Sequence, residues 1–185
     1  YVTWHSRYNK SVDEAKRYLA KRKVNVLRVT WREDVNRWHP GQDWIAQPGG
    51  FGVFDPGINA LSIVTKILPE PVFVKDAEIE VPSNWSTPIG VKMTMKFADD
   101  RPADMTAEFD WRQRGEQTWN IEVGTEAGEK LLLSNGGSVL HVNGNLVMQA
   151  PLQEYEMIYA KFARLLKSKR SETDFSPLRL ECDAF

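Results

Sequence analysis

Regular alternation of apolar and polar residues runs through the middle of the sequence and restricts the chain to a sheet-based fold. From Val91 to Phe97 every second residue is apolar, and lysine or threonine fills the positions between. A strand with this period buries one face and exposes the other. Similar patterns predict strands over residues 72–81, 89–97, 105–113, 118–123, 130–134, 139–142 and 146–148. We therefore expect a large, mostly antiparallel sheet, with a tight hairpin at Asn143-Gly144 between its last two strands.

A helix and a buried strand are predicted before this region. Ser11 and Glu14 have the spacing of a capping box, so a helix is expected from about Val12 to Arg22. The β-branched run from Val24 to Trp31 then predicts a buried strand. Because ligand-binding residues commonly follow the ends of such strands, residues 33–38 become candidates for a binding site.

Three further helices are predicted, and their apolar residues need a surface to pack against. The first begins at Asp55-Pro56 and ends before Pro69, and its apolar stripe consists of Ala60, Leu61, Val64, Ile67 and Leu68. The second runs from Leu152 to Lys167, and we expect its apolar stripe to pack against the sheet. The third covers residues 176–185. These elements predict an α+β fold, in which helices pack on one face of an open-faced, mostly antiparallel sheet.

Composition excludes several classes of function. The 24 basic and 25 acidic side chains are interspersed and leave a formal net charge of −1, which argues against a nucleic-acid surface. No stretch approaches the roughly 20 apolar residues that cross a bilayer, so no membrane partner is expected. The single cysteine, Cys182, falls in an apolar helical pattern and is predicted to be a buried, inert thiol. We expect one cytoplasmic domain.

Aromatic, acidic and amide side chains are concentrated between Trp31 and Asn59. Flat rings can lie against the C–H faces of a sugar, while carboxylates and amides hydrogen-bond its hydroxyls. Glu33, Trp38 and His39 follow the first strand and are candidate contacts to such a ligand. For His39 the alternative is that it simply caps the turn. This mixture of residue types predicts a site for a polyhydroxylated ligand.

Asp55 and Asn59 lie one turn apart on a predicted helix and so point the same way. A carboxylate can accept a proton, which makes Asp55 the candidate general base and Asn59 its orienting partner. An aspartate that only caps its helix is the alternative explanation, and the sequence leaves both open. The three histidines lack metal-ligand spacing, so no metal is expected.

Six segments spread along the whole chain carry a resemblance to a known family. They are Thr3-Trp-His-Ser-Arg-Tyr8, Val12-Asp-Glu-Ala-Lys-Arg-Tyr-Leu19, Trp44-Ile45 before Gly49-Gly50, Asp55-x-Gly57-x-Asn59, Thr118-Trp-Asn-Ile-Glu-Val123 and Ser176-Pro-Leu-Arg-Leu-Glu-Cys-Asp-Ala-Phe185. In this order they resemble the C-terminal domain of the Gfo/Idh/MocA oxidoreductases, in the branch of L-arabinose 1-dehydrogenases and D-galactose 1-dehydrogenases. The wider family usually has a histidine where this sequence has Asn59. Because an amide cannot take a proton, the base is expected to be Asp55 or a lysine that such enzymes carry in their other domain.

The resemblance implies that residues 1–185 form a substrate-binding and oligomerisation domain whose Rossmann domain lies upstream. That second domain would bind most of an NAD or NADP cofactor, and this sequence contains no Gly-x-Gly-x-x-Gly motif. The sequence opens at Tyr1 in a strand-like run and closes at Phe185 inside a predicted helix, which agrees with a missing half. The full-length enzyme is expected to oxidise an aldose at C1 to a lactone, while the chain alone is expected to be inactive.

The resemblance also places two further residues near the sugar. His5 resembles a residue near the substrate, although it could be a solvated strand end, and Trp119 could be a stacking wall or an ordinary core residue. A homodimer is expected through the polar sheet face, where Lys92, Lys96, Glu108, Asp110 and Glu122 could pair across a two-fold axis. The alternative function is a non-catalytic carbohydrate-binding or scaffold module.

Overall fold

One large sheet organises the chain in the computed structural model, which describes residues 1–151 and 153–185. Its strands are Val24–Arg32 (β1), Val72–Glu80 (β2), Gly90–Phe97 (β3), Asp104–Asp110 (β4), Thr118–Thr125 (β5), Lys130–Ser134 (β6), Val139–Val142 (β7) and Asn145–Gln149 (β8). Across these described residues the eight strands follow the order β2-β3-β4-β1-β5-β6-β7-β8. β1 runs parallel to β4, and the other neighbouring strands are antiparallel. The predicted mostly antiparallel sheet is confirmed.

Helices cover one face of this sheet. The described helices are Lys10–Leu19 (α1), Val35–Trp38 (α2, a single turn), Phe54–Ile67 (α3), Glu154–Ser168 (α4) and Ser176–Ala184 (α5), and α1, α3 and α5 are the ones that pack on the sheet. Packing contacts join α1 to β6 and β7, α3 to β1 and β5, and α5 to β2. The expected α+β class, with helices on one face, is therefore confirmed. In the described part of the chain, no helix is both long enough and apolar enough to span a bilayer.

The core lies between α3 and the apolar sheet face. The predicted stripe of α3 is buried along its whole length, and so are the alternating apolar residues of β3 and β4. Gly57 allows this close approach, because a Cβ atom there would lie 2.7 Å from the Phe109 ring. A hairpin also forms where Asn143-Gly144 predicts it, and both residues adopt positive φ angles, as a type I′ turn requires.

The predicted capping box is wrong, because α1 starts earlier than its sequence signature suggests. The helix begins at Lys10, and the side chain of Asn9 accepts a hydrogen bond from the backbone N–H of Ser11 at 3.4 Å. The Ser11 hydroxyl instead donates to the carbonyl of Ser138 at 2.9 Å. A tertiary contact therefore takes the hydroxyl that the local pattern assigned to the helix end.

The expected packing of α4 against the sheet is also wrong. Leu152, the first residue of its predicted stripe, lies outside the described residues. Ile158 is buried, but Tyr159 and Leu166 are 67% and 62% exposed. Helix α4 packs on the 3₁₀ turn His5–Tyr8. Because α1, α3 and α5 already cover the apolar sheet face, α4 lies outside that layer and leaves part of its stripe in solvent.

The prediction of a buried cysteine is contradicted as well, since Cys182 is exposed. Helix α5 turns a different set of side chains inward, namely Pro177, Leu180, Glu181 and Ala184. These positions follow the three- and four-residue spacing of one helical face. Glu181 therefore takes the buried position that a hydropathy reading would give to its neighbour Cys182.

A matched pair of substitutions on α4 tests this arrangement. We expect Ile158→Ala to lower the free energy of unfolding by about 2–5 kcal/mol, since it empties a buried site. Leu166→Ala should change the free energy of unfolding by less than about 0.5 kcal/mol, because its side chain is already in water. Urea denaturation of both variants measures the difference, and equal losses would instead indicate that the whole stripe is buried.

Candidate functional site

The first carboxylate of the site is placed by the end of β1. Glu33 follows the last residue of that strand, and its N–H donates to the carbonyl of Asp110 at 2.9 Å. Its carboxylate is buried, and the Trp119 Nε1–H donates to Oε2 at 3.1 Å. Burial raises the pKa of Glu33, and the Trp119 hydrogen bond partly offsets that rise. Burial thus destabilises the ionised form of Glu33, and the hydrogen bond from Trp119 offsets part of that effect.

The short helix α2 brings His39 back toward Glu33. The Asp34 side chain caps α2 by accepting from the N–H of Asn36 at 2.9 Å, and His39 ends the turn. Its Nε2 atom lies 3.9 Å from Glu33 Oε1 and 3.7 Å from Asp55 Oδ2. The imidazole therefore stands between two carboxylates. Trp111 packs beside it, with ring centroids 5.4 Å apart.

Two tryptophans form a wall next to these polar groups. Trp38 and Trp119 have ring centroids 5.3 Å apart, and Trp38 is 43% exposed. The Trp38 Nε1–H donates to Gln117 Oε1 at 3.2 Å, which restrains the ring. Partly exposed rings of this kind can contact the apolar face of a sugar while the neighbouring carboxylates hydrogen-bond its hydroxyls. Trp119 is consequently more than a core residue, because its indole N–H holds Glu33.

Asp55 enters the site from the first turn of α3. Gly52 sets up this helix start with a φ of +58°, and a Cβ atom there would lie 2.4 Å from the Pro88 carbonyl oxygen. Val53 N–H donates to that same carbonyl at 2.7 Å. Asp55 is two residues after the N-cap position, and its side chain is 42% exposed. The first turn of a helix stabilises such a negative charge.

The structure brings most of the predicted site residues together. Glu33, Trp38, His39, Asp55 and Trp119 form one cluster of neighbouring side chains. Asn59 is half-buried one helical turn further along α3, on the side that bears Asp55.

His5 lies elsewhere among the described contacts. It is exposed on the 3₁₀ turn, and its ring stacks on Tyr155 of α4 at a centroid distance of 6.2 Å. The part of the chain that the structure describes shows no contact between His5 and the cluster around Asp55. Its role in substrate binding therefore stays a prediction.

Sequence reasoning missed one titratable group near Asp55. Glu181 is 2% exposed, and neither carboxyl oxygen has a hydrogen-bond partner among the described residues. Burial, together with the negative charge of Asp55, raises the pKa of Glu181 to about 8. The spacing of the buried residues of α5 could have revealed it, but glutamate is so rarely buried that a hydropathy reading favours Cys182.

The polar groups of the site are suited to proton transfer and hydroxyl binding. The carboxyls of Glu33 and Asp55 flank the His39 imidazole, and Asp55 is the more exposed of the two, so a ligand could reach it. Within the described residues, no group of three or more His, Cys, Asp or Glu side chains is arranged to hold a metal ion. The arrangement can therefore accept a proton from a bound hydroxyl and orient that hydroxyl by hydrogen bonds.

Comparison with known proteins gives two relatives of high similarity. The chain is 44% identical over 178 residues to a galactose 1-dehydrogenase from Pseudomonas fluorescens. The aligned region covers 96% of the chain and 57% of that protein. The chain superposes on the crystal structure of a D-galactose-1-dehydrogenase from Rhizobium etli with a TM-score of 0.92, 49% identity, and coverage of 99% of the chain and 58% of the other. The chain thus spans little more than half the length of each. No protein-family model matches it.

A more distant structure shares the fold. Levoglucosan dehydrogenase in complex with NADH and levoglucosan superposes with a TM-score of 0.76 at 15% identity, over 99% of this chain and 62% of that one. At that identity the likeness establishes the architecture alone.

The buried carboxyl of Glu181 predicts how stability depends on pH. Its pKa is about 8 in the folded chain against 4.5 ordinarily, so between these values the folded state holds a proton that the unfolded state has released. This contribution is fully present below pH 4.5 and falls by roughly 1.4 kcal/mol per pH unit until the pH passes about 8. Glu181→Gln should remove that slope, because an amide does not titrate.

Unfolding free energies measured between pH 5 and pH 9 test this prediction. Asp183→Asn is the matched control, since it removes an exposed carboxyl from the same helix and should keep the slope. Parallel pH profiles for the wild type and Glu181→Gln would show that Glu181 is already ionised in the folded chain.

Proposed function

We propose that this chain forms the substrate-binding domain of an NAD(P)-dependent aldose 1-dehydrogenase of the Gfo/Idh/MocA oxidoreductases. Its similarity to galactose 1-dehydrogenases, at 44% and 49% identity, supports this proposal. The observation that supports this function best is the cluster of Glu33, His39 and Asp55 beside the Trp38–Trp119 wall. This cluster combines an apolar surface, on which a sugar ring can stack, with neighbouring groups that can hydrogen-bond the hydroxyls of the same ring.

In this proposal the chain removes a proton and orients the sugar. The aldose places its C1 hydroxyl against Asp55, whose carboxylate accepts the hydroxyl proton as the C1–H bond breaks and a lactone carbonyl forms. A nicotinamide held mainly by a second domain supplies the hydride acceptor. In the same proposal Glu33 and His39 hydrogen-bond ring hydroxyls, and Asn59 orients the substrate or Asp55. A positioned base of this kind contributes roughly 100- to 10,000-fold to rate.

The described residues do not themselves fit the cofactor. Gly136 and Gly137 lead into strand β7 rather than into a helix. The loop containing Gly52 does lead into α3, but Asp55 in the first turn would repel a pyrophosphate. In this proposal the cofactor is held mainly by a separate domain of the full-length protein.

Activity measurements on two lengths of protein test the proposal. The full-length protein should reduce NAD or NADP with D-galactose or L-arabinose, since hydride transfer needs the cofactor held in contact with C1. The 185-residue chain alone should bind sugar without turnover. If the full-length protein has no nucleotide-binding domain but binds the sugar, the chain is a non-catalytic carbohydrate-binding module instead. Turnover by the isolated chain would contradict the domain assignment.

Two substitutions in the full-length protein separate the base from the helix-cap role of Asp55. We expect Asp55→Ala to lower kcat by roughly 100- to 10,000-fold with a small change in KM, because a base acts mainly in the transition state. Asn59→Ala should lower kcat and raise KM, because it also orients bound substrate. If Asp55 only stabilises the helix, Asp55→Ala costs about 1 kcal/mol of stability and leaves activity per folded molecule unchanged. Steady-state kinetics and melting curves on both variants decide between these outcomes.

The face of the sheet that the helices leave open is the proposed homodimer surface. Some of the charged residues expected there already pair within the chain, as Glu108 does with Arg32 at 2.7 Å and Asp110 with Arg112 at 2.8 Å. Among the described residues, Lys92 and Glu122 form no ion pair. A depression of about 460 Å³ lies on the same face, beside Glu122. Groups that stay unpaired within one chain are the ones available to a second copy.

A charge reversal tests the dimer surface. Lys92→Glu should weaken dimerisation about tenfold, because it places like charges at a symmetric interface. Lys16→Glu, an equal change on the exposed face of α1, should leave dimerisation unaltered. Sedimentation equilibrium measures both, and a wild-type monomer at high concentration would contradict the proposed dimer.

A further inference from the structure

The carboxyl of Glu181 is buried, and the proton transfer proposed above does not use it. Both of its oxygens lack a hydrogen-bond partner in the described part of the chain, whereas buried polar atoms nearly always have one. A carboxyl in this situation is strongly disfavoured as an anion. Glu181 therefore needs an explanation beyond packing, since a leucine would fill the same space without that cost.

The position of Glu181 in the fold relates it to the candidate base. Helix α5 packs against α3 and β2. Phe185, one turn after Glu181, has its ring centroid 4.9 Å from that of Phe54, the residue before Asp55. The C-terminal end of α5 thus lies beside the end of α3 from which Asp55 projects.

The charges around α5 leave Asp55 as the group that acts on Glu181. The two other ionised residues of α5, Arg179 and Asp183, lie 3.8 Å apart, and Arg179 also donates to the Val72 carbonyl of β2 at 2.8 Å. Of the described charges on α3 and β2, the carboxylate of Asp55 is the one that raises the pKa of Glu181. No cation of the described residues compensates Glu181.

We propose that Glu181 is a positioning residue for the candidate base, whose charge sets how tightly Asp55 holds the proton that it takes from the sugar. This inference rests on the proposed function of Asp55. Electrostatic coupling between two groups is reciprocal. The negative charge of Asp55 disfavours ionisation of Glu181, so an ionised Glu181 in turn disfavours the negative charge of Asp55. A protonated Glu181 leaves Asp55 as a weaker base, and an ionised Glu181 makes it a stronger one.

The coupling predicts how activity depends on pH. Because the pKa of Glu181 is raised to about 8, its charge appears as the pH passes through that value. Asp55 then becomes a stronger base, and a stronger base removes the hydroxyl proton faster. The rate of the full-length enzyme should therefore increase near pH 8.

The experiment compares the pH profiles of kcat in full-length wild type, Glu181→Gln and Asp183→Asn. Glu181→Gln should match the wild type within twofold at pH 6.5 and fall about three- to tenfold below it at pH 9.5, with KM for the sugar unchanged. Asp183→Asn, which removes an exposed carboxyl from the same helix, should keep the wild-type profile. Superimposable profiles for wild type and Glu181→Gln overturn the proposal.

A second measurement tests the coupling if Glu181→Gln does not fold. It also separates the coupling between Glu181 and Asp55 from the proposed function. Infrared difference spectra of the full-length protein should show a protonated carboxyl that titrates near pH 8, and Asp55→Asn should move this titration to lower pH by removing the like charge. A titration that Asp55→Asn leaves unchanged overturns the coupling, whether or not the protein oxidises a sugar. A protein that shows the coupled titration but oxidises no aldose overturns the proposed function instead.

Discussion

The close approach of α3 to the sheet is the contact on which the candidate site depends. Gly57 presents only hydrogen to the Phe109 ring, so the helix axis can lie nearer the sheet than a side chain at that position would allow. Because Asp55 is two residues earlier on the same helix, this contact also fixes the distance between Asp55 and the end of β1. An alanine at Gly57 would push the helix outward and separate His39 from Asp55, although both residues would still be present.

Burial divides the carboxyls of the site into different chemical roles. Glu33 is buried but receives a hydrogen bond from Trp119, and His39 lies close enough to offset part of its desolvation. Glu181 is equally buried and receives no such compensation among the described residues, so the pKa of its carboxyl rises to about 8. Asp55 keeps a large exposed fraction and is the carboxylate that a ligand can meet. Three carboxyls of the same charge type therefore have different environments, which in the proposed function give them different roles.

The two faces of the sheet are suited to different tasks. Helices α1, α3 and α5 cover the apolar face, and the residues of the candidate site lie at the edge of that layer. The opposite face stays open and carries paired and unpaired charges together with a broad depression. The proposed ligand site and the proposed dimer surface therefore lie on different parts of the sheet, in a chain that spans little more than half of its galactose 1-dehydrogenase relatives. Levoglucosan dehydrogenase has the same architecture at 15% sequence identity, so the same fold can form with mostly different side chains.

Elements with a local sequence pattern could be predicted from the sequence. Alternation predicted strands β2 to β8, the three- and four-residue spacing predicted α3 and α4, and Asn143-Gly144 predicted its hairpin, because each is decided by neighbouring residues. The concentration of Glu33, Trp38, His39 and Asp55 within one stretch also pointed to the candidate site before any tertiary contact was known.

Which surfaces were still free to be covered depended on the packing of the whole chain. Ser11 lost its capping role to a distant carbonyl, α4 found the sheet face already occupied, and α5 turned Glu181 inward instead of Cys182. The place of β1 between β4 and β5 was also absent from any local pattern. An amphipathic pattern indicates that a face is apolar, but it does not indicate which surface that face will contact. Elements far apart in sequence can pack on the same surface, so the contacts depend on how all the elements pack together.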